Sequence, residues 1–281
     1  MNARIGAAAG VCAVATFTGF QKALAFEGAP QAWQIDLPQA ATPVMESMRG
    51  FNTLLLAIII PIVIFVMGLL LWVMIRYRES ANPVPSKLSH NSTIEVLWTI
   101  VPVLILVIIA IPSFRILFRQ FDFPKPDVVV KATGKLWYWN YEYPDEKVTF
   151  DSHLIEDQDL KPGQLRNLSV DNEMVVPVNK VVQVLTTGGE VIHQWAVPAF
   201  GSRVDAMPGR INRTWFKATE TGTYYGQCSA LCGNGHAYMP VAVKVVSEDE
   251  YRKWLAEKQQ KTAAADPARL ALAEAADGEK R

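Results

Sequence analysis

Cysteine is scarce in this chain, three in 281 residues, too few for a disulfide-built scaffold. Net charge is absent as well: 27 basic side chains face 27 acidic ones, which excludes a protein drawn to nucleic acid by its overall charge. Charged residues are only 19% of the chain and hydrophobic ones 50%, too apolar for disorder or an ordinary soluble protein and too polar for a transporter of many spans. No CxxCH haem-attachment motif, phosphate-cradling glycine loop or internal repeat occurs. What is left is a membrane anchor joined to a water-soluble part.

The apolar residues are concentrated near the N-terminus. Residues 1–25 start with Arg4, continue through AAAGVCAVATFTGF and end in Ala23, Leu24 and Ala25, the small-residue pattern cut by a signal peptidase. A signal peptide over 1–25 is expected, taking Cys12 with it and leaving an exported segment over 26–50. Leu54 to Ile75 is then 22 residues without a charge, and Val96 to Phe114 another 19. About 20 apolar residues cross a bilayer, so 51–118 reads as a transmembrane helical hairpin with spans at about 54–75 and 96–114. Arg76, Arg78 and Lys87 in the loop nearly balance Arg49, Arg115 and Arg119 on the other side. The signal peptide decides the orientation, placing the loop in the cytoplasm and everything after Phe118 outside.

The exported part differs in kind. Residues 120–250 hold 17 acidic against 12 basic side chains, a net charge of −5. DVVVKATG, LWYWNYEYP, RNLSVDN, EMVVPVNKVVQVLTTGG, EVIHQWAVP, RTWFKATETGTYYGQ and MPVAVKVVS read as strands broken by Pro and Gly, hence an antiparallel sandwich or barrel over 120–247. From 248 the composition turns to Ala, Lys, Glu and Gln, giving one helix over SEDEYRKWLAEKQQK and a flexible tail to 281.

Cys228, Cys232, His236 and Met239 fall within 12 residues, CSALCGNGHAYM, directly after the expected strand TYYGQ. Thiolate, thioether and imidazole are the donors that soft copper prefers, and His193 at the end of EVIH can join them from another strand. Zinc has no use for Met239. A single blue-copper site needs one cysteine; the second lets two thiolates bridge two metals. The plainer alternative is a Cys228–Cys232 disulfide, which an exported compartment permits.

Two spans followed by a strand-rich domain with WYWNYEYP, VIHQWAVPAF, DAMPGR and CSALCGNGHAYMP resemble subunit 2 of the haem-copper cytochrome c oxidases of the aa3 kind, from the first span to about residue 255. The resemblance implies a two-helix transmembrane hairpin followed by an all-β, cupredoxin-like Greek-key barrel holding the binuclear copper centre called CuA. Its ligands would be His193, Cys228, Cys232, His236, Met239 and the backbone carbonyl of Ala230. Cytochrome c would donate electrons, oxidase subunit 1 would receive them at its haem and perform the oxygen chemistry and most proton pumping, and subunit 3 would complete the complex. The implied location is the bacterial inner membrane, multi-pass, with the copper domain periplasmic and no nucleic-acid partner.

Ala230 also marks a departure, because the family pattern CSELCG has a glutamate there that reaches a non-redox magnesium or manganese ion. An intact copper centre and a weak or empty Mg/Mn site are therefore expected. Gly134, Lys135 and Leu136 stand where the family usually reads Gly-His-Gln. By strand alternation Trp137 shares a face with Trp139, Tyr141 and Tyr143, an ordinary core stripe; the resemblance makes it the electron-entry residue.

Glu142, Asp145, Glu146, Asp151, Asp171 and Glu190 could be only a solvated face, but the family's docking patch for cytochrome c overlaps them. Ser92 and Glu95 match a helix-capping box, and the family places a glutamate at Glu95's position at the mouth of a proton pathway. His90 and His153 have no evident partners. Two other readings remain open: a copper-free structural subunit of a quinol oxidase, which would lack this ligand set, and a membrane-tethered copper carrier, which would leave Trp137 and the acids without a use.

Overall fold

The computed structural model describes residues 28–265; the expected signal peptide and the end of the tail lie outside the described residues. Helix α1 covers Pro43–Arg76 and α2 covers Ser92–Phe121. α1 opens well before the charge-free run because Thr42 accepts a hydrogen bond from the Met45 amide (3.1 Å) and Pro43 presets the first turn. The two helices are about 50 and 45 Å long at 1.5 Å per residue, more than the bilayer core requires. No residue of α2 is buried, and the apolar runs of both helices face outward. Such surface suits hydrocarbon or a neighbouring subunit rather than water.

At the start of α2 the cap is Asn91, one residue earlier than the Ser92–Glu95 spacing predicts. Its carboxamide oxygen accepts from the amides of Thr93 (3.1 Å) and Ile94 (3.3 Å), and Glu95 Oε1 accepts from the Asn91 amide (3.3 Å). Asparagine caps as well as serine does, and with Asn91 extended Ser92 becomes the first helical residue.

Ten strands follow: β1 Val128–Lys135, β2 Tyr138–Tyr143, β3 Val148–Ser152, β4 Met174–Pro177, β5 Val182–Gly188, β6 His193–Val197, β7 Ser202–Ala206, β8 Asn212–Phe216, β9 Gly222–Gln227 and β10 Pro240–Val246. They form a five-stranded sheet ordered β3-β2-β1-β5-β8, a three-stranded sheet β4-β10-β9 and the ribbon β6-β7. The pairing is mixed: β1 runs parallel to β5 and β4 parallel to β10, while the other pairs among the described residues are antiparallel, as expected. Parallel neighbours arise because the chain crosses between sheets before pairing again.

The strand expected at RNLSVDN is a turn, with Asn167 in the left-handed region (φ +63°) and the Leu165 amide bound to Ser169 Oγ; only Val170 makes a bridge, to Leu154. EMVVPVNKVVQVLTTGG is cut in two at Asn179 (φ +60°).

Trp139, Tyr141 and Tyr143 on the inner face of β2 are fully buried with Val130, Val184, Met174, Trp195, Phe200, Phe216 and Val243 in one core between the sheets. Burial of each large side chain is worth about 1.5–3 kcal/mol against exposure. Helix α3, Glu248–Ala265, is capped reciprocally by Ser247 and Glu250 and lays Trp254 against Tyr143 and Phe150. The hairpin is joined to the β-domain at two places. Ala41 exchanges backbone hydrogen bonds with Ala199 (2.9 Å) and Thr219 (3.0 Å), and the Thr42 hydroxyl donates to the Phe200 carbonyl. At the end of α2, Trp215 Nε1 donates to the Gln120 carbonyl and Arg213 stacks on Phe123.

Candidate metal centre

The connection from β9 to β10 is residues 228–239, which carries Cys228, Cys232, His236 and Met239. Its ends are held where the strands separate: the Cys228 amide donates to the Met239 carbonyl (3.2 Å) and the Ser229 amide to the Gln194 carbonyl (3.1 Å). The second contact brings the loop beside His193, which begins β6 rather than ending a strand. The five-residue EVIHQ stretch turns before it pairs, because Gly188 and Gly189 and the exposed Glu190 precede it.

The sulfurs of Cys228 and Cys232 lie 3.8 Å apart, far beyond a disulfide bond, and both thiols are free. His193 Nδ1 stands 4.0 Å from Cys228 Sγ on one side and His236 Nδ1 3.6 Å from Cys232 Sγ on the other. Met239 Sδ is 3.6 Å from Cys232 Sγ, and the Ala230 carbonyl oxygen 3.3 Å from Cys228 Sγ. The structure therefore gathers every ligand candidate named from the sequence. His193, Cys228 and Cys232 form a buried group able to hold a metal ion.

Electrostatics agrees with a cation-binding role. Burial, reinforced by the neighbouring Cys228, pushes the Cys232 thiol up to about 12. Burial also holds His193 below its ordinary value, opposed by Glu190 and assisted by His236, which keeps the imidazole neutral. His193 Nε2 finds no polar partner among the described residues, so the ring's polar role is confined to its Nδ1 side. A Cys232 thiol that resists ionisation beside a neutral His193 imidazole makes a pocket that a soft cation would complete, its binding displacing the thiol proton.

Packing fixes these groups. A Cβ on Gly134 would lie 2.6 Å from His193 Cδ2, so only glycine lets the imidazole lie flat on β1. Trp139 meets the same ring edge-on at 6.1 Å. Trp137 does not share the inner face of Trp139, Tyr141 and Tyr143: it sits in the tight turn between β1 and β2, which breaks the alternation. The turn aims it at the metal loop, where its Nε1 donates to the Cys232 carbonyl (3.1 Å) and its ring covers Gly233 and Gly235. The run CGNGH displays these two glycines, but nothing in the sequence alone marks them as the seat of an indole.

The acidic residues separate into groups. Glu190 adjoins the β1–β2 turn through the Gly189–Gly134 hydrogen bond (2.8 Å). Asp171 holds the amide of His153, whose ring stacks on Tyr138 next to Trp137, and Asp151 binds Asn140 on the neighbouring strand. Glu142 is paired with Lys131 (2.9 Å). Asp145 and Glu146 lie beyond the far end of β2, about 20 Å of strand from Trp137. Glu146 is half-covered near α3, and burial holds its carboxyl above the ordinary value. Glu95 is on the opposite side of the membrane hairpin.

A transmembrane hairpin bearing a β-sandwich, with two thiols, two imidazoles and a thioether gathered around one interstrand loop, defines a membrane-anchored, cupredoxin-like protein with a candidate metal site. Two family models match it, "Cytochrome C oxidase subunit II, transmembrane domain" over residues 30–116 and "Cytochrome C oxidase subunit II, periplasmic domain" over residues 128–246. The probable cytochrome c oxidase subunit 2 of Rickettsia felis is 49% identical over 236 residues, 84% of this chain and 75% of that protein. The cytochrome c oxidase subunit 2 of Cereibacter sphaeroides is 44% identical over 266 residues, 88% of each chain. A crystal structure of the periplasmic domain of subunit II of cytochrome oxidase from Bradyrhizobium japonicum is 56% identical, with 50% of this chain and 98% of that one covered and a TM-score of 0.47. The chain belongs to the cytochrome c oxidase subunit II family, and is thus a membrane-bound subunit of a haem-copper oxidase with a periplasmic β-domain.

Proposed function

We propose that the chain is the electron-entry subunit of its oxidase: it takes single electrons from cytochrome c and delivers them to the haem of subunit 1, with subunit 3 as a further partner. The observation that carries this is the pair of free thiols 3.8 Å apart with an imidazole nitrogen beyond each. His193, Cys228, Cys232, His236, Met239 and the Ala230 carbonyl would hold two copper ions. When bound, the copper pair supplies a one-electron store whose charge is shared over both metals. The protein's part is to keep the donors fixed: β6 and the β9–β10 loop are joined by backbone bonds, and the core excludes water beneath His193. Copper loading of the full chain in detergent, followed by electron paramagnetic resonance, tests the reading. Hyperfine structure from one electron over two coppers is expected; single-copper hyperfine would favour a carrier, and absence of copper a structural quinol-oxidase subunit.

Trp137 is the port in this reading, since its indole binds the carbonyl of a ligand cysteine and remains partly exposed. Glu190, Asp151 and Asp171 at that end of the domain would steer a basic donor, while Glu142, Asp145 and Glu146 contribute only to the long-range field. Turnover with cytochrome c should fall as salt rises; insensitivity to ionic strength would sink the steering role. Ala230 supplies no carboxylate, so Mg²⁺ or Mn²⁺ should be held loosely or not at all, as metal analysis of the purified complex will show. Glu95 fits a proton-pathway mouth as well as a cap, and Glu95→Ala should slow reduction of the catalytic haem if it has the former role. Cleavage before Phe26 and an inner-membrane, multi-pass location complete the proposal, and N-terminal sequencing of the mature chain checks the cleavage.

A further inference from the structure

Among the cavities of the described residues, one lies away from the candidate metal site and between the two helices of the membrane hairpin. It has a volume of about 360 Å³ and is lined by Ser47, Gly50, Phe51 and Leu54 of α1 and by Pro112, Arg115, Ile116 and Arg119 of α2. Its lining is ordered by depth. Because α1 runs inward and α2 outward, Ser47 and Arg119 share the level nearest the β-domain, while Leu54 and Pro112 share the deeper one. Leu54 is also the first residue of the uninterrupted apolar run that follows Asn52 and Thr53, so the groove straddles the boundary between headgroups and hydrocarbon.

Arg115 and Arg119 are four residues apart and project from one helix face. Neither meets a carboxylate among the described residues; Arg119 only donates to Ser47 Oγ at 3.2 Å. The nearby Arg49 is already paired with Asp36 (3.2 Å), and Glu46, one residue before Ser47, does not line the groove. Two unpaired guanidiniums above an apolar slot match a molecule with a negative head and a hydrocarbon chain. Free phosphate would satisfy the upper level alone and leave Phe51, Leu54, Pro112 and Ile116 bare.

We propose that this groove binds an anionic phospholipid of the leaflet facing the β-domain, its phosphate between Arg115 and Arg119 and the first part of one acyl chain along Phe51, Leu54, Pro112 and Ile116. The inference is independent of the copper reading and needs only the transmembrane hairpin. The test is native mass spectrometry of the whole oxidase complex in micelles containing equal phosphatidylglycerol and phosphatidylcholine of the same chain length. Wild type should retain phosphatidylglycerol over phosphatidylcholine, and Arg115→Gln/Arg119→Gln should lower its occupancy roughly tenfold or more. Ile116→Trp, which keeps both charges and fills the chain slot, should lower it as well, with copper absorption and Tm of both variants unchanged. Equal retention of the two lipids, occupancy unaltered in the double variant, or displacement by inorganic phosphate would overturn the proposal. So would a photoreactive residue at position 116 that crosslinks to a neighbouring subunit and never to lipid.

Discussion

The β-domain and the hairpin handle the same kind of residue in opposite ways. The β-domain buries Trp139, Tyr141, Trp195 and Phe216 completely within itself, whereas α2 buries nothing and turns Leu104, Leu106, Ile108 and Phe114 outward. One region therefore carries its stability in side-chain contacts of its own; the other leaves most of its contacts to lipid and to other subunits. The division bears on function as well as stability, because the candidate metal donors are held by the first region and the second supplies their attachment to the membrane.

The strongest test of that contrast is at the donors. Cys232→Ser removes a soft ligand that faces His236, Met239 and Cys228, and should lower cytochrome c oxidation by more than about 100-fold, since even outer-shell changes cost 10–100-fold; copper content and turnover are the measurements. Next comes packing. Trp139→Ala should destabilise the β-domain by about 3–5 kcal/mol, seen as a lower Tm, whereas Leu104→Ala on α2 should change the helical signal in detergent little, and a comparable loss at both positions would abolish the contrast. Trp137→Phe removes the hydrogen bond to the Cys232 carbonyl and should slow electron entry from cytochrome c severely with copper spectra intact; normal transfer would remove Trp137 from the route.

The smallest effect is electrostatic and distant from the candidate metal site. Burial raises the carboxyl of Glu146 from its ordinary 4.5, with Asp145 adding to the rise. A raised folded value means the protonated fold is favoured, so the stabilisation is present below pH 4.5 and is lost as pH rises through the folded value. Glu146→Gln should accordingly raise the Tm of the β-domain at pH 7, and the advantage should shrink on acidification; a constant difference across pH would assign it to packing.

Much of this organisation was legible in the sequence because it depends on composition over long stretches or on tight spacing. Twenty-two and 19 residues without a charge admit one reading, and four soft donors within 12 residues on a strand connection cannot spread apart. What escaped was decided by single residues. Asn179 in the left-handed region divided one long apolar run into β4 and β5, and Asn91 took the cap from Ser92. β3 and β7, with the sequences VTFDS and SRVDA, carry too much polarity to announce themselves, yet each pairs along a neighbour whose register the core had already fixed. Trp137 followed the apolar alternation by number but sits in a turn, where alternation has no meaning. Of the acids named around Trp137, Glu142, Asp145 and Glu146 run away from it along and beyond β2, where closeness in sequence is distance in space, while Asp151, Asp171 and Glu190 return to its end from other elements.

The joints at Ala41–Thr42 and at Gln120–Phe123 have a mechanical consequence. A body hung from a single flexible stalk swings, whereas one fastened at two separate points is limited to rocking about the line between them. Both fastenings reach the β6-β7-β8 side of the domain, through Ala199, Phe200, Arg213 and Trp215. His193 of the candidate metal site begins the strand that leads directly into that mount. The domain is thereby braced like a sensor head on a bracket, its height above the bilayer set by backbone geometry instead of by chance collisions with the membrane surface.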